Sequence, residues 1–411
     1  MKLIQARIRG LGRLEESQWF DLSPHLNLFQ FPDLNGDVFG RNFLRILQSI
    51  NPTYEIQTAK PFADFPNFTE QGGYTRRVNP AKRTIALAVF SATPSLVKEL
   101  AAVDEWLYET DRIEVGRRLD YSRWINFVEL ASSTRWSEIS DNMQTLLEQA
   151  RHLEPDLTTP LADILRPLKP ADRIKNELQE KLAHWLENLP SELQNSSRQL
   201  IESTISAVMR ADHFHTARDI VCTRLPLFVV LGNSTPPSSI LDQKTASSTD
   251  LNADFLHSLL HLIASNAKSQ AKESKNGGRT FFEELNEQLV TLQFSGMKLR
   301  IDRSPAGILL TIDGKPVQLS KDEPLSLLRQ MQTKACLAVA LSRTAYKTEP
   351  ILLFAGPERA LPDTLHGELA DFVINIAKTC QCLYSFSDVD IFSNDVADRR
   401  YNAADLCMAG E

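Results

Sequence analysis

In Lys2-Leu3-Ile4-Gln5-Ala6-Arg7-Ile8-Arg9, apolar residues 4, 6 and 8 share one side of an extended chain and polar residues take the other, which predicts a strand. Gly10 and Gly12 mark a turn, Trp19–Leu22 reads as a second strand and Leu26–Phe31 as a third. A loop rich in Gly, Asp and Asn follows, and then Phe43, Leu44, Ile46, Leu47 and Ile50 recur at helical spacing. Strand, polar loop and helix in that order is the layout of a phosphate-binding unit. A strand over Thr84–Phe90 closes this first lobe.

From about Ser95 to Arg218 the pattern becomes helical. Ile174, Leu178, Leu182, Trp185 and Leu189 form one stripe, and Leu200, Ile201, Ile205, Val208 and Met209 another. Pro155, Pro160, Pro167, Pro170 and Pro190 are expected to cut the region into short pieces, which excludes a long coiled coil. Strand character returns at Leu227–Leu231, and the Ser/Thr/Pro/Asn-rich stretch through Leu251 reads as loop. Further strands are expected near Met297–Asp302 and Gly307–Asp313, with Asp313-Gly314 as a hairpin turn. Ser320-Lys321-Asp322-Glu323 has capping-box spacing and opens a helix to about Ser342. Ile351–Phe354 is wholly apolar, as in a strand buried on both faces, and helix 364–378 with strand Cys382–Phe386 completes a strand-helix-strand unit.

Composition narrows the classes. The chain has 411 residues, enough for two or three domains at roughly 100–200 residues each. With 42% hydrophobic and 24% charged residues, it is neither collagenous nor wholly disordered. A net charge of −7 argues against a surface that grips phosphate backbones all over, though a local basic patch stays open. Five cysteines, an odd number over so long a chain, point to a reducing compartment rather than a disulfide framework. No apolar run approaches the ~20 residues that span a bilayer, and Arg7 and Arg9 interrupt the place of a signal peptide, so a cytoplasmic protein without a membrane partner is expected.

In their order along the chain, these pieces resemble the split ATPase head of the RecF/SMC class of ABC-type proteins, above all the OLD-type (overcoming-lysogenization-defect) heads. The resembling parts are residues 1–50 and about 224–393. Met1 to Leu28 reads like the opening that leads into the phosphate loop, and Arg224–Val230 like the strand that opens the second lobe. Leu319-Ser320 sits where the signature motif begins. Ile351–Phe354 before Pro357-Glu358 is similar to a Walker B strand before its proline, and Tyr384–Ser387 to the switch-histidine strand. The resemblance implies an α/β fold: a P-loop NTPase, ABC-ATPase-head-like, split into two lobes (residues 1–94 and 219–411) by an inserted helical arm (95–218).

The residues that should perform the chemistry are replaced. A phosphate loop needs glycines for backbone approach, a lysine for the terminal phosphates and a hydroxyl for magnesium. Here Gly40-Arg41-Asn42 align with that Gly-Lys-Ser/Thr, Asn35 takes the first glycine's place beside Gly36, and Val38 and Phe39 crowd the loop. Arg41 retains a charge for phosphate, but Asn42 lacks the hydroxyl. At Walker B, the magnesium-orienting aspartate and water-polarising glutamate align with Ala355 and Gly356, which can neither hold metal nor accept a proton. The switch histidine aligns with Ser387, or with Phe386 one position earlier, and the signature glycines after Ser320 become Lys321-Asp322-Glu323, whose acids would repel a γ-phosphate. Gln71 is either a Q-loop relic or a solvated loop glutamine.

Other constellations carry less. His257 and His261 share a helical face, but Ser258 stands where a metalloprotease has glutamate. Asp212-His213-Phe214-His215 with Asp219 has metal-friendly residues at a spacing that matches no mechanism. Cys380 and Cys382, like Cys336, read as buried thiols. Basic residues gather at Arg76-Arg77 with Lys82-Arg83, and at Arg112, Arg117, Arg118 and Arg123. The resemblance makes both clusters DNA-contact candidates, while the acids among the second favour a mixed, solvated face.

The expectation is a head that binds without catalysing, with no cofactor, as a homodimer or beside an active head, in DNA maintenance or phage defence. The alternatives are a weak ATPase using ATP and Mg with Arg41 as clamp, a nucleotide-independent DNA-binding module, or an α/β protein of no ATPase ancestry, in which Gly36 and Gly40 are turn residues and Ser320 a helix cap.

Overall fold

In the computed structural model the described residues are 1–11, 14–31, 40, 43–44, 46–51, 82–104, 108, 110–118, 122–232, 260, 263, 267, 280–292, 296–304, 307–316, 327–387, 389–393 and 395–406. Among them the strands run β1 Lys2–Leu11, β2 Leu14–Glu16, β3 Phe20–Asp21, β4 Leu26–Gln30, β5 Thr84–Ser91, β6 Arg112–Arg118 and β7 Arg123–Phe127. They continue with β8 Phe228–Gly232, β9 Leu299–Ser304, β10 Gly307–Ile312, β11 Lys315–Pro316, β12 Ile351–Ala355, β13 Gln381–Phe386 and β14 Arg399–Asn402. The chain divides into two units, one of Met1–Ser91, Glu114–Trp124 and Thr223–Glu411, the other of Ala92–Ile113 and Ile125–Cys222.

Three sheets are present among the described residues. One has the order β2-β1-β5-β6-β7 with β3 on β1, the second is the β11-β10-β9 meander, and the third has the order β14-β4-β13-β12-β8. In the third, every pairing is parallel: β12 with β13 and β8, and β4 with β13 and β14. A parallel sheet is covered on both faces, so its strands are continuously apolar, and all five residues of β12 and all six of β13 are buried. The ladder pairs Leu353 with Leu383 and with Val230, and Tyr384 with Leu28. Helix Leu327–Leu341, nearly all of it buried, and helix His366–Ala377 contribute to the same hydrophobic core.

Most expected elements stand where the periodicity put them. The strand ahead of the polar loop is β4, and the described residues at 40, 43–44 and 46–48 are helical. Phe43 from this segment packs on Phe29, Phe31 and Phe20, at ring-centroid distances of 4.9, 5.4 and 5.6 Å. The expected hairpin turn is present, with Asp313 and Gly314 both at positive φ, as a primed turn requires.

The 95–218 region is not helical throughout. It holds helices Pro94–Ala101, Trp136–Leu153, Pro155–Leu165, Asn176–Glu187, Ser191–Ser196 and the 27-residue Arg198–Arg224, but also β6 and β7. Pro160, expected to end a helix, lies within Pro155–Leu165. The bond it forfeits would go to the Asp156 carbonyl, on an exposed residue where water substitutes at little cost.

The basic cluster at 112–123 is likewise not one solvated face. Arg117 is fully buried, with Nε donating to the Ser49 carbonyl at 2.6 Å and Nη2 to the Asn51 carbonyl at 3.1 Å. Arg123 Nη2 also reaches the Asn51 carbonyl at 3.0 Å, and Asn51 Nδ2 donates to the Phe228 carbonyl at 3.0 Å. Two guanidinium groups therefore gather on carbonyls just past the helical residues 46–48, where orphan acceptors and the helix dipole favour cations. The same contacts tie that segment to β8.

Candidate functional site

Ligands of open parallel α/β sheets sit beyond the carboxyl ends of the strands. Here that edge is formed by Gln30 and Phe31 at the end of β4, Phe386 and Ser387 at the end of β13, Ala355 and Gly356 at the end of β12, and Gly232 at the end of β8. Four of the ten residues singled out from the sequence are described, and they lie on or against this edge: Gly40, Ala355, Gly356 and Ser387. Asn35, Gly36, Arg41, Asn42, Gln71 and Ser320 lie outside the described residues, as do His257 and His261.

The four are brought together through β13. Ala355 pairs with Ser385, and the Gly356 N–H donates to the Ser385 carbonyl at 2.9 Å. Gly40 is buried against the same serine, since a Cβ there would stand 2.9 Å from Ser385 Oγ and 3.1 Å from the Phe31 ring. Close approach is thus the reason for glycine at 40. The Phe31 N–H donates to the Phe386 carbonyl at 2.9 Å, which continues the β4–β13 ladder to the start of the loop. Ser387 is buried and its hydroxyl accepts from Arg359 Nη2.

One carboxylate near this edge, Glu358, was named with the Walker B-like strand but given no role there. Glu358 follows Gly356 by two positions, on a short turn of helix, and is 1% exposed. It faces inward, where the Tyr384 hydroxyl donates to Oε2 at 2.6 Å. His366 Nε2 lies 2.9 Å from the Glu358 backbone carbonyl. Burial first, and then the neighbouring Glu358 charge, holds the Tyr384 phenol well above its ordinary pKa, so it stays a neutral donor. The available signal was an acid beside a strand end with a tyrosine on the next strand, but sequence alone does not say which way either side chain turns.

Chemically, the described part of the edge carries the Ser387 hydroxyl and the Arg359 guanidinium, which meet each other, while the Phe31 and Gly356 N–H groups are engaged by β13 carbonyls. Ala355 and Gly356 supply neither a metal ligand nor a base, and Glu358 is engaged with Tyr384. Among the described residues, no group of three His, Cys, Asp or Glu could hold a metal ion, and no helix is long and apolar enough to cross a membrane.

No protein-family model matches the chain, and neither does any curated protein. Solved structures similar to it include the Smc head domain with an extended coiled coil from Pyrococcus furiosus, bound to the C-terminal domain of ScpA. It is 12% identical with TM-score 0.37, over 98% of this chain and 93% of that one. The Smc head domain from Thermotoga maritima is 10% identical with TM-score 0.35, over 98% and 94%. The recombination mediator RecF bound to an ATP analogue is 10% identical with TM-score 0.38, over 99% and 98%.

Proposed function

We propose that this chain is an ATPase-head-like subunit that does not hydrolyse ATP and acts by binding, either to a second copy of itself or to an active head. The observation that carries the reading is the end of β12, where a fully buried strand stops in Ala355 and Gly356. A head that turns over ATP needs a carboxylate there to orient magnesium and another to polarise the attacking water. The inward turn of Glu358 toward Tyr384 supports the same reading, because the nearest described acid serves the core. A role in DNA maintenance or phage defence fits a head of this class, with the helical region between the lobes as the partner-facing element.

The test is turnover and binding with purified full-length chain. With ATP and magnesium, phosphate release should match a protein-free blank, and titration calorimetry should show no micromolar binding. Protein-dependent turnover, or micromolar binding abolished by Arg41→Ala, would overturn the proposal in favour of a weak ATPase. Sedimentation of the chain alone separates self-association from a requirement for another head. Gel shifts across a salt series address DNA, because true phosphate contacts weaken steeply with salt.

A further inference from the structure

The meander β11-β10-β9 ends in two unlike edges. β11 is two exposed residues, Lys315 and Pro316, and a lysine beside a residue without an N–H offers little for another strand to pair with. β9 is six residues long, Leu299–Ser304, and among the described residues it pairs with β10 alone. A strand of that length with an open side is a template for a further strand.

The middle of this open side is met by a side chain. Asn286 Nδ2 donates to the Ile301 carbonyl at 2.7 Å, and its Oδ1 accepts the Ile301 N–H at 2.9 Å. Both backbone groups of Ile301 therefore point away from β10, and because residues of an antiparallel pair alternate in this respect, those of Leu299 and Arg303 do so too. A carboxamide carries the donor and the acceptor of a peptide group, so Asn286 stands where an added strand would pair. The helix that presents it, Phe281–Thr291, is seated by other residues: Phe281, Leu285 and Leu289 lie in the hydrophobic core.

The residues of β9 say what fits there. When β9 is laid antiparallel to another β9 about Ile301, Arg300 stands opposite Asp302 twice, and opposite charges across two strands stabilise their pairing. Arg300 already meets Asp302 of its own strand, with Nε 2.8 Å from Oδ2, so both side chains lie on one exposed side and are within reach of an adjacent strand. We propose that the outer edge of β9 is a pairing surface for a second copy of this chain, and that Asn286 holds it closed. The proposal does not depend on the state of the ATPase-like edge.

The experiment is sedimentation equilibrium of the full chain and its variants, with circular dichroism to show that each is folded. The association of the parent protein, at whatever level, is the baseline. Asn286→Ala should associate at least about tenfold more tightly than the parent. Asn286→Ser, too short to span both groups of Ile301, should do the same. Adding Arg303→Pro to either should return the parent's behaviour, because it removes an outward N–H and leaves the ladder with β10 intact. Adding Arg300→Glu should weaken the new association about tenfold, since carboxylates then face each other. A folded variant at 286 that associates as the parent does overturns the proposal. So does an association that survives Arg303→Pro or ignores Arg300→Glu. Should neither variant at 286 fold, the carboxamide holds the fold rather than closes the edge, and the proposal fails.

Discussion

The Gln381 carboxamide meets both backbone groups of Leu3: Nε2 donates to the Leu3 carbonyl at 2.7 Å, and Oε1 accepts the Leu3 N–H at 3.2 Å. A side chain at the start of β13 thus acts as a one-residue strand partner for β1, and so links the sheet of β1 to the parallel one. Nε2 also donates to the Ser23 carbonyl at 2.6 Å. Gln381→Leu should cost about 2–4 kcal/mol, since it leaves buried backbone groups unmet. Gln381→Glu should cost as much at neutral pH, because a carboxylate cannot donate to either carbonyl. Urea unfolding checks both, and a loss under 0.5 kcal/mol, at about the noise of a surface change, would sink the argument.

Arg117 makes a sharper case. Arg117→Met removes the donors to the Ser49 and Asn51 carbonyls and should destabilise by about 3 kcal/mol, while Arg117→Lys should recover only part, because an ammonium cannot fork between two carbonyls. Arg112, exposed on the same strand, should tolerate alanine within about 0.5 kcal/mol. Equal effects at 112 and 117 would mean that burial is not what distinguishes them.

These two arginines also mark what was legible in the sequence. Ile351–Ala355 and Gln381–Phe386 could be read as buried parallel strands because each is apolar on both faces, and the meander because Asp313-Gly314 announces its turn. Charge patterning alone places Arg117 outside, since arginine is seldom fully buried. What puts it inside is a need elsewhere, the bare carbonyls past a helix end 66–68 positions away, and no local pattern carries that. The site divides similarly. That the strand over 351–355 runs into Ala355 and Gly356, with no acid there, was plain from the residues, whereas the inward turn of Glu358 toward Tyr384 depends on packing.

Tyr384 and Tyr108 should respond oppositely to loss of the hydroxyl at neutral pH. Tyr384→Phe removes the donor to Glu358 and should cost about 1–3 kcal/mol. Among the described residues the buried Tyr108 hydroxyl has no partner, so Tyr108→Phe should be neutral or stabilising by about 1 kcal/mol. Burial raises both phenols above the ordinary value near 10. The folded chain therefore keeps protons that the unfolded chain loses, and stability, fully present below about pH 10, falls as pH rises beyond it. Either phenylalanine variant should flatten that decline in chemical denaturation series, and an unchanged slope would contradict the assignment.

Thiol reactivity should follow burial. Burial pushes the Cys336 thiol up to about 12 and Cys382 upward as well, with Cys380 adding to the effect, so neither supplies thiolate near neutral pH. Among the described cysteines, Cys222 is the partly exposed one. Iodoacetamide at pH 8 should modify Cys222 in the native protein and spare Cys336, Cys380 and Cys382 until denaturant is added. Mass spectrometry of the peptides reads this directly, and rapid native labelling of Cys382 would contradict the buried parallel sheet.

The threading of β4 between β13 and β14 bears on how the protein is made. Asn27 and Cys382, bonded across the first of those ladders, are 355 positions apart. A ribosome releases β4 long before either neighbour exists, so the nascent chain must carry an unpaired apolar strand through most of its synthesis. Chaperones that shield such segments would then limit the yield of this protein, more than any step that follows its release.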